Sequence, residues 1–264
     1  DLSGLDGSNG FRLDGEAEGD RSGFSVSSAG DVNGDGFDDA IIGAPYAGPN
    51  GIFVAGSSYV VFGKASGFDA VMDLSGLDGS NGFRLDGEAE IDRSGFSVSS
   101  AGDVNGDGFD DVIIGALGVN SNGHYSGFSY VVFGKASGFD AMMDLSGLDG
   151  SNGFRLDLDG EEAKYGSSGL SVSSAGDVNG DGFDDVIMGA PHADPNGRYS
   201  GSSYVVFGKA SGFDATIDLS GLDGSNGFRL DGEAEGDESG FSVSSAGDVN
   251  GDGFDDVIIG AFGT

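Results

Sequence analysis

The string DLSGLDGSNGFRLD recurs at Asp1, Asp73, Asp144 and Asp218, dividing the chain into residues 1–72, 73–143, 144–217 and 218–264. Such a repeat narrows the folds available. Each unit is a supersecondary element that cannot bury its apolar faces alone, so neighbouring units must stack. The fourth unit stops before the segment that would match Gly56–Phe68, leaving three full units and part of a fourth. This reads as a window cut from a longer array, or as a chain whose last unit is completed by another chain. The start at Asp1, with no Met and no leader-like segment, reads in the same way as a mature or excised piece.

Turn residues separate four short apolar stretches in each unit: Phe11–Leu13, Phe24–Ser28, Ala40–Gly43 and Ser58–Phe62 in the first. The run from Phe24 alternates in polarity, as a half-buried strand should. Ile41-Ile42 and Tyr59–Phe62 are continuous, which suits strands covered on both faces. Gly is 54 of 264 residues, without the period of three that collagen needs, and no stretch sustains a helical period of 3.6. The expected fold is all-β: a β-propeller of four-stranded antiparallel blades, three full repeats and a partial fourth, together forming one propeller or part of one.

Charge sharpens the reading. Asp and Glu number 45 against 11 Lys and Arg, a net −34, which sets aside nucleic acid and anionic membrane as partners because both need clustered cations. Twenty Phe and a 37% hydrophobic content are more than an acidic disordered tail carries. There is no Cys, hence no disulfide, thiolate site or Cys nucleophile, and no apolar run reaches the length of a membrane span. A folded chain of this composition needs its acid neutralised.

The sequence DVNGDGFDD supplies the means. It occurs unchanged at Asp31–Asp39, Asp103–Asp111, Asp177–Asp185 and Asp248–Asp256, and these loops hold 16 of the 45 acids. Side-chain oxygens fall at positions 1, 3, 5 and 9, Gly stands at position 6, and position 7 offers only its carbonyl. This alternation in a curled loop serves a hard cation that takes six to eight oxygens, Ca²⁺ rather than Mg²⁺, about one ion per repeat. No His or Cys lies in any copy, against zinc. Position 12, where an EF-hand has Glu, is Ile42, Ile114, Met188 or Ile259, so the loop is read as a β-hairpin connection. Calcium is expected to act as the staple of the fold.

SGFSVSSAGDVNGDGFDDAIIGAP, at Ser22–Pro45, resembles the FG-GAP repeat of integrin α-subunit β-propellers and their bacterial relatives, and the resemblance recurs in all four units. Carried over by position, it implies calcium ligands at Asp31, Asn33, Asp35, the Phe37 carbonyl and Asp39. In the later copies these are Asp103, Asn105, Asp107, Phe109 and Asp111; Asp177, Asn179, Asp181, Phe183 and Asp185; and Asp248, Asn250, Asp252, Phe254 and Asp256. The sequence departs from the motif in places. Ser25, Ser97 and Ser242 follow the motif Phe where the family name has Gly, Leu170 replaces that Phe in unit three, and Gly-Ala-Pro becomes Gly115-Ala-Leu117 and Gly260-Ala-Phe262. The family usually closes a ring of seven blades. Four units imply a truncated ring, a ring shared by two chains, or a continuing array.

The units differ from one another in two places. One is Tyr46–Gly56, Leu117–Gly127 and His192–Gly201; the other is Glu16–Arg21, Glu88–Arg93, Leu158–Ser167 and Glu233–Glu238. Alternate connections of an up-and-down blade emerge on one side, so both segments should share a face opposite the acidic loops. That face, with His124, His192, Tyr46, Tyr125, Arg198 and Tyr199, is the candidate surface for a protein or glycan ligand. Phe62, Phe133 and Phe207 read as blade packing, Arg12 and its copies as solvated groups on an outer strand, and Lys64, Lys135 and Lys209 as surface residues. Glu16 and Glu18 could form an acid/base pair, but GEAE recurs in three units, and neither His has a nucleophile at a recognisable spacing.

The leading expectation is a non-enzymatic, calcium-stabilised extracellular or cell-surface propeller for adhesion or ligand binding. One alternative is a structural unit that self-associates through its incomplete ends into a fibre or surface layer. A second is a polysaccharide hydrolase or lyase, against which the absence of Trp counts.

Overall fold

The computed structural model describes residues 2–118, 126–158 and 167–263. His124, Tyr125 and most of Leu158–Ser167 lie outside the described residues. The strands are β1 (Arg12–Asp14), β2 (Ser25–Gly30), β3 (Asp39–Ala44), β4 (Ser57–Val61), β5 (Val71–Asp73), β6 (Gly82–Asp86), β7 (Ser94–Gly102), β8 (Asp111–Ala116) and β9 (Phe128–Val132). They continue with β10 (Met142–Asp144), β11 (Gly153–Asp157), β12 (Ser171–Gly176), β13 (Asp185–Ala190), β14 (Ser202–Val206), β15 (Thr216–Asp218), β16 (Gly227–Asp231), β17 (Ser239–Gly247) and β18 (Asp256–Ala261). The fold is all-β. Among the described residues the only helices are short 3₁₀ turns, and no helix is long and apolar enough to cross a membrane.

The sheets follow one plan. The first has the order β10-β6-β4-β3-β2 and the second β15-β11-β9-β8-β7; the third is β12-β13-β14-β16 and the last only β17-β18. In the first three the four main strands pair antiparallel, as propeller blades do, and in the first two a three-residue strand, β10 or β15, adds in parallel at the outer edge. One detail differs from the expectation of four strands from one unit. The outer strand comes from the following unit: Gly82–Asp86 pairs with Ser57–Val61, while the first copy, Arg12–Asp14, pairs only with Val71–Asp73. A sheet therefore straddles the sequence repeat, and every unit is tied to the next by backbone hydrogen bonds.

The burial patterns show why these residues make these strands. The third strands, Ser57–Val61, Phe128–Val132 and Ser202–Val206, are buried at every position, as sheet centres with both faces covered require. First strands are only partly buried, and from the second sheet on their central Val packs on the preceding sheet. Val98, for instance, belongs to one core with Ile41, Val60 and Ile114, and Val172 to another with Ile113 and Val186. Phe62 contacts Phe83 and Phe139, and Phe133 contacts Phe154 and Phe213, so these rings fill the outer part of the sheets.

The outer-strand arginines are not uniformly solvated. Arg12 is exposed beside Asp14, but Arg84 is largely buried between Asp86 and Glu16, and Arg155 between Asp157 and Glu88. A guanidinium fork satisfies two carboxylates at once, which lets it leave water.

Candidate functional site

Each acidic loop is set by a bulge. β2 and β3 pair in register to Ser28 and then shift at Gly30, whose φ of +73° only Gly adopts without strain, and the same shift recurs at Gly102, Gly176 and Gly247. The loop then folds onto its own carboxylates. Asp31 accepts from the Asp35 N–H at 3.0 Å and the Gly36 N–H at 2.9 Å; Asn33 accepts from Asp35 N–H, and Asp35 Oδ1 from Phe37 N–H. The second and third loops repeat this, and the fourth does so except at Asn250, whose amide donates to Asp256 at 3.4 Å.

Position 9 is the loop's anchor. Asp39 is buried, accepting from Val32 N–H at 3.0 Å and Gly63 N–H at 2.8 Å, and Asp111 and Asp185 do the same in their sheets. Burial pushes these carboxyls up, to about 6 for Asp39, about 8 for Asp111 and about 7 for Asp185. The two N–H bonds oppose the shift, and the acids at positions 1 and 5 add to it.

Positions 7 and 8 reach across to the preceding loop, a role the sequence reading did not assign them. Asp110 Oδ2 accepts from Asp31 N–H at 2.7 Å, Asp184 from Asp103 N–H at 2.8 Å and Asp255 from Asp177 N–H at 2.9 Å. The ring of Phe109 lies against Gly34, that of Phe183 against Gly106 and that of Phe254 against Gly180, close enough that a Cβ there would stand 2.3 Å from the ring. Conformity between copies was the available signal: position 8 is as constant as the rest of the loop, although it breaks the alternation of inward oxygens.

The donor set fits a hard cation. Every side-chain donor is oxygen, Oδ2 of Asp35, Asp107, Asp181 and Asp252 accepts no hydrogen bond among the described residues, and no Lys or Arg there forms an ion pair with a loop carboxylate. The loop carboxylates are turned to backbone N–H groups, and among the described residues no three acidic or His side chains converge into a ready-made cage.

The structure brings the two variable segments together. Ile91 N–H donates to the Phe53 carbonyl, Arg93 N–H to Val54 and Ser94 N–H to Ala55, joining the loop after β3 to the one before β7; in the same way Glu238 N–H donates to Tyr199. The guanidinium of Arg21 lies 4.1 Å from the Tyr46 ring centroid, and that of Arg93 lies 5.9 Å away. Arg198 stacks on Tyr199, which also meets His192, itself hydrogen-bonded to Ser167 at 2.8 Å. Glu16 is engaged by Tyr59 and Arg84, and Glu88 by Tyr130 and Arg155, so these acids brace the sheet.

The pattern of the FG-GAP repeat matches residues 22–61, 94–132, 168–206 and 239–263, more than half of the chain, and the chain belongs to that family. Integrin alpha-V of Gallus gallus is 29% identical over 246 residues, covering 91% of this chain and 20% of its own length. Integrin alpha-5 of Xenopus laevis is 32% identical over 72% of this chain and 17% of its own. Phosphatidylinositol-glycan-specific phospholipase D of Bos taurus is 34% identical over 70% of this chain and 21% of its own. The chain thus spans about a fifth of the length of these curated relatives. Its repeats are integrin-alpha-like.

Proposed function

We propose that the chain is a calcium-stabilised, non-enzymatic binding module of the extracellular space or cell surface, built as a β-propeller or an arc of one, whose variable loops take a protein or glycan ligand. One observation carries this reading. Four identical acidic loops, without basic partners among the described residues, sit at the junctions between sheets, while the two segments that vary between units meet each other elsewhere. In each loop the cation is held by positions 1, 3, 5 and 9 and the position-7 carbonyl, and it supplies the positive charge that the chain lacks. The integrin relatives support a recognition role, and the phospholipase D relative shows that such repeats also occur in a protein named for an enzyme. The engagement of Glu16 and Glu88 in ion pairs supports the non-enzymatic reading.

Extracellular calcium modules bind with Kd on the order of 10⁻⁴ to 10⁻³ M. At about 10 mM calcium, each site then adds roughly 1.4–2.7 kcal/mol of stability by mass action. The test is thermal unfolding in 10 mM calcium, in 10 mM magnesium and in excess EDTA. Calcium is expected to raise Tm well above the EDTA value and magnesium much less. Equal melting in all three would overturn the proposal.

A further inference from the structure

The first and second sheets correspond strand by strand, but at one buried place their side chains differ. Ser57 and Phe128 hold the same position, paired with Ala44 and Ala116. Each lies two residues before a buried tyrosine, Tyr59 or Tyr130, that pairs with an outer-strand arginine, Arg84 or Arg155. In the second sheet the Phe128 ring stacks on the Arg155 guanidinium, 3.9 Å from centroid to carbon, and meets Tyr130 edge-on at 5.3 Å. In the first, Ser57 Oγ donates to Asp86 at 3.0 Å, and the chain supplies no ring there.

In its stead lies a cavity of about 150 Å³, lined by Glu16, Asp20, Pro49, Ser57, Tyr59 and Arg84. An apolar cavity of about 150 Å³ takes up benzene. Ser57 and Tyr59 form a buried floor, and Ala17 and Gly48 are exposed at the mouth. The walls come from both variable segments, from β4 and from β6, all parts of one sheet. In the second sheet, the preceding sheet's segment Phe53–Ala55 bonds the backbone of Ile91, Arg93 and Ser94, and none of these corresponds to a wall residue. A sheet held in that way before the first would leave the walls as they are. Their charge is acidic. Arg84 is shared by Glu16 and Asp86, which leaves Asp20 over. Its counterparts Asp92 and Asp237 accept from the N–H of Ala89 at 2.8 Å and of Ala234 at 2.7 Å, whereas the Asp20 carboxylate accepts no hydrogen bond among the described residues. Burial and the neighbouring Glu16 push the Asp20 carboxyl up, and a cation in the cavity relieves that repulsion.

We propose that this cavity binds an aromatic ring bearing a protonated amine, the ring beside Arg84 and Tyr59 as Phe128 stands beside Arg155 and Tyr130, and the ammonium on Asp20. The proposal rests on the reading that the variable segments recognise a ligand, and it gives that ligand a chemistry. The second sheet shows that an arginine held by two carboxylates still offers a face to a ring, since Arg155 pairs with Glu88 and Asp157 while stacked on Phe128. A carboxylate on the ligand would meet Glu16 and Asp20 and be rejected. A free arylalkylamine and an aromatic residue at the amino terminus of a peptide carry the same ring and ammonium.

The experiment is isothermal titration calorimetry of the whole chain in calcium with tyramine, phenol, ethylamine and tyrosylglycinamide, repeated on Ser57→Phe and Asp20→Asn variants. Tyramine is expected to bind with a Kd on the order of 0.1–1 mM, as so small a ligand allows. Phenol and ethylamine should each bind about tenfold more weakly or worse. Tyrosylglycinamide binding more tightly than tyramine identifies a peptide terminus as the source, and the reverse order a free amine. Ser57→Phe, which supplies the ring that the second sheet already has, should abolish tyramine binding with circular dichroism and calcium-dependent melting unchanged. Asp20→Asn should weaken tyramine about tenfold and leave phenol as it was; it decides the matter if Ser57→Phe does not fold, because the Asp20 carboxylate holds no hydrogen bond of the fold. Three results overturn the proposal: no tyramine binding up to about 10 mM, tyramine no better than ethylamine, or tyramine binding unchanged in either folded variant. With calcium-dependent melting intact, such a result removes the ligand chemistry alone and not the wider reading of the chain.

Discussion

Replacing Asp184 by Ala tests whether position 8 serves the neighbouring sheet or its own loop's cation. Asp184 Oδ2 accepts from Asp103 N–H at 2.8 Å, across 81 residues of sequence, and the carboxyl is half-buried. A hydrogen bond to a charged group contributes about 1.5–3 kcal/mol, and leaving the N–H unpaired at a partly buried site costs a similar amount, not in addition but as the same loss seen from the donor. Against this, burial and the surrounding Asp110, Asp103 and Asp255 raise the Asp184 carboxyl, so removing it also relieves repulsion. The net expectation is a loss of about 1–2 kcal/mol. Asp38 is the internal control, because among the described residues no N–H donates to its carboxylate as one does to Asp110, Asp184 and Asp255; Asp38→Ala should change stability by less than about 0.5 kcal/mol. Urea unfolding at a concentration where the chain is monomeric, with calcium titrations of both variants, reads the result. Equal losses for the two variants, or an equal fall in their calcium affinity, would show that position 8 acts within its own loop and refute the reasoning.

Gly115→Ala should cost about 3 kcal/mol and Gly260→Ala less than about 1. A Cβ at Gly115 would stand 2.1 Å from the Gly169 carbonyl, whereas at Gly260 it meets only the movable Ser242 hydroxyl; comparison of urea midpoints checks this. Asp92→Asn probes pH dependence away from the acidic loops. Burial raises Asp92 to about 6, with Glu88 adding to the shift, and Ala89 N–H donates to it at 2.8 Å. A folded pKa above the unfolded one means the native state holds the proton more tightly, so this group's contribution to stability grows as pH falls from about 6 to about 4. The neutral amide keeps the bond to Ala89, so Asp92→Asn should exceed the wild type by about 2–3 kcal/mol at pH 7.5, with the gap closing near pH 4. A gap that does not change with pH refutes the assignment.

The main strands were legible because turn residues separate them and because continuous apolar runs such as Tyr59–Phe62 have no place except a sheet centre, whereas the three-residue strands Val71–Asp73, Met142–Asp144 and Thr216–Asp218 are too short to carry a pattern. The side-by-side placement of the variable segments followed from connection parity alone, and the hydrogen bonds from Ile91 and Arg93 to Phe53 and Val54 accord with it. Strand-to-sheet membership was not legible. Phe11–Leu13 and its copies have the composition of an outer strand, but nothing local tells whether such a strand completes its own sheet or the one before. That depends on the length of the preceding connection, residues 62–81, which carries the chain back to the earlier sheet's edge. The burial of Arg84 and Arg155 was missed for a related reason: their partners Glu16 and Glu88 lie 68 and 67 residues away. Within the acidic loop, period-two reasoning offered the oxygens of Asp31, Asn33, Asp35 and Asp39 to a cation and gave Phe37 only a carbonyl. The rings of Phe109, Phe183 and Phe254 need Gly34, Gly106 and Gly180 in the preceding loop, a complementarity that joins positions about 75 residues apart.

This double use of position 7 sets how calcium removal should act. The Phe109 carbonyl is a proposed ligand in the second loop, while its ring packs on Gly34 of the first and the adjacent Asp110 holds Asp31 N–H. A cation bound as proposed in one loop would therefore order the two side chains that grip the loop before it. In a stacked-repeat protein, stability is a sum of unit terms and nearest-neighbour terms, and cooperativity resides in the latter. Chelation should weaken both, so melting in EDTA is expected to be broader as well as lower than in calcium, with the apparent van't Hoff enthalpy falling below the calorimetric one. Asp107→Asn, which removes one charge from the second loop and leaves the Phe109 ring in place, should move the transition part of the way. If chelation instead lowered Tm with the transition as sharp as before, the loops would be contributing to each unit separately, and the coupling assigned to Phe109 and Asp110 would be wrong.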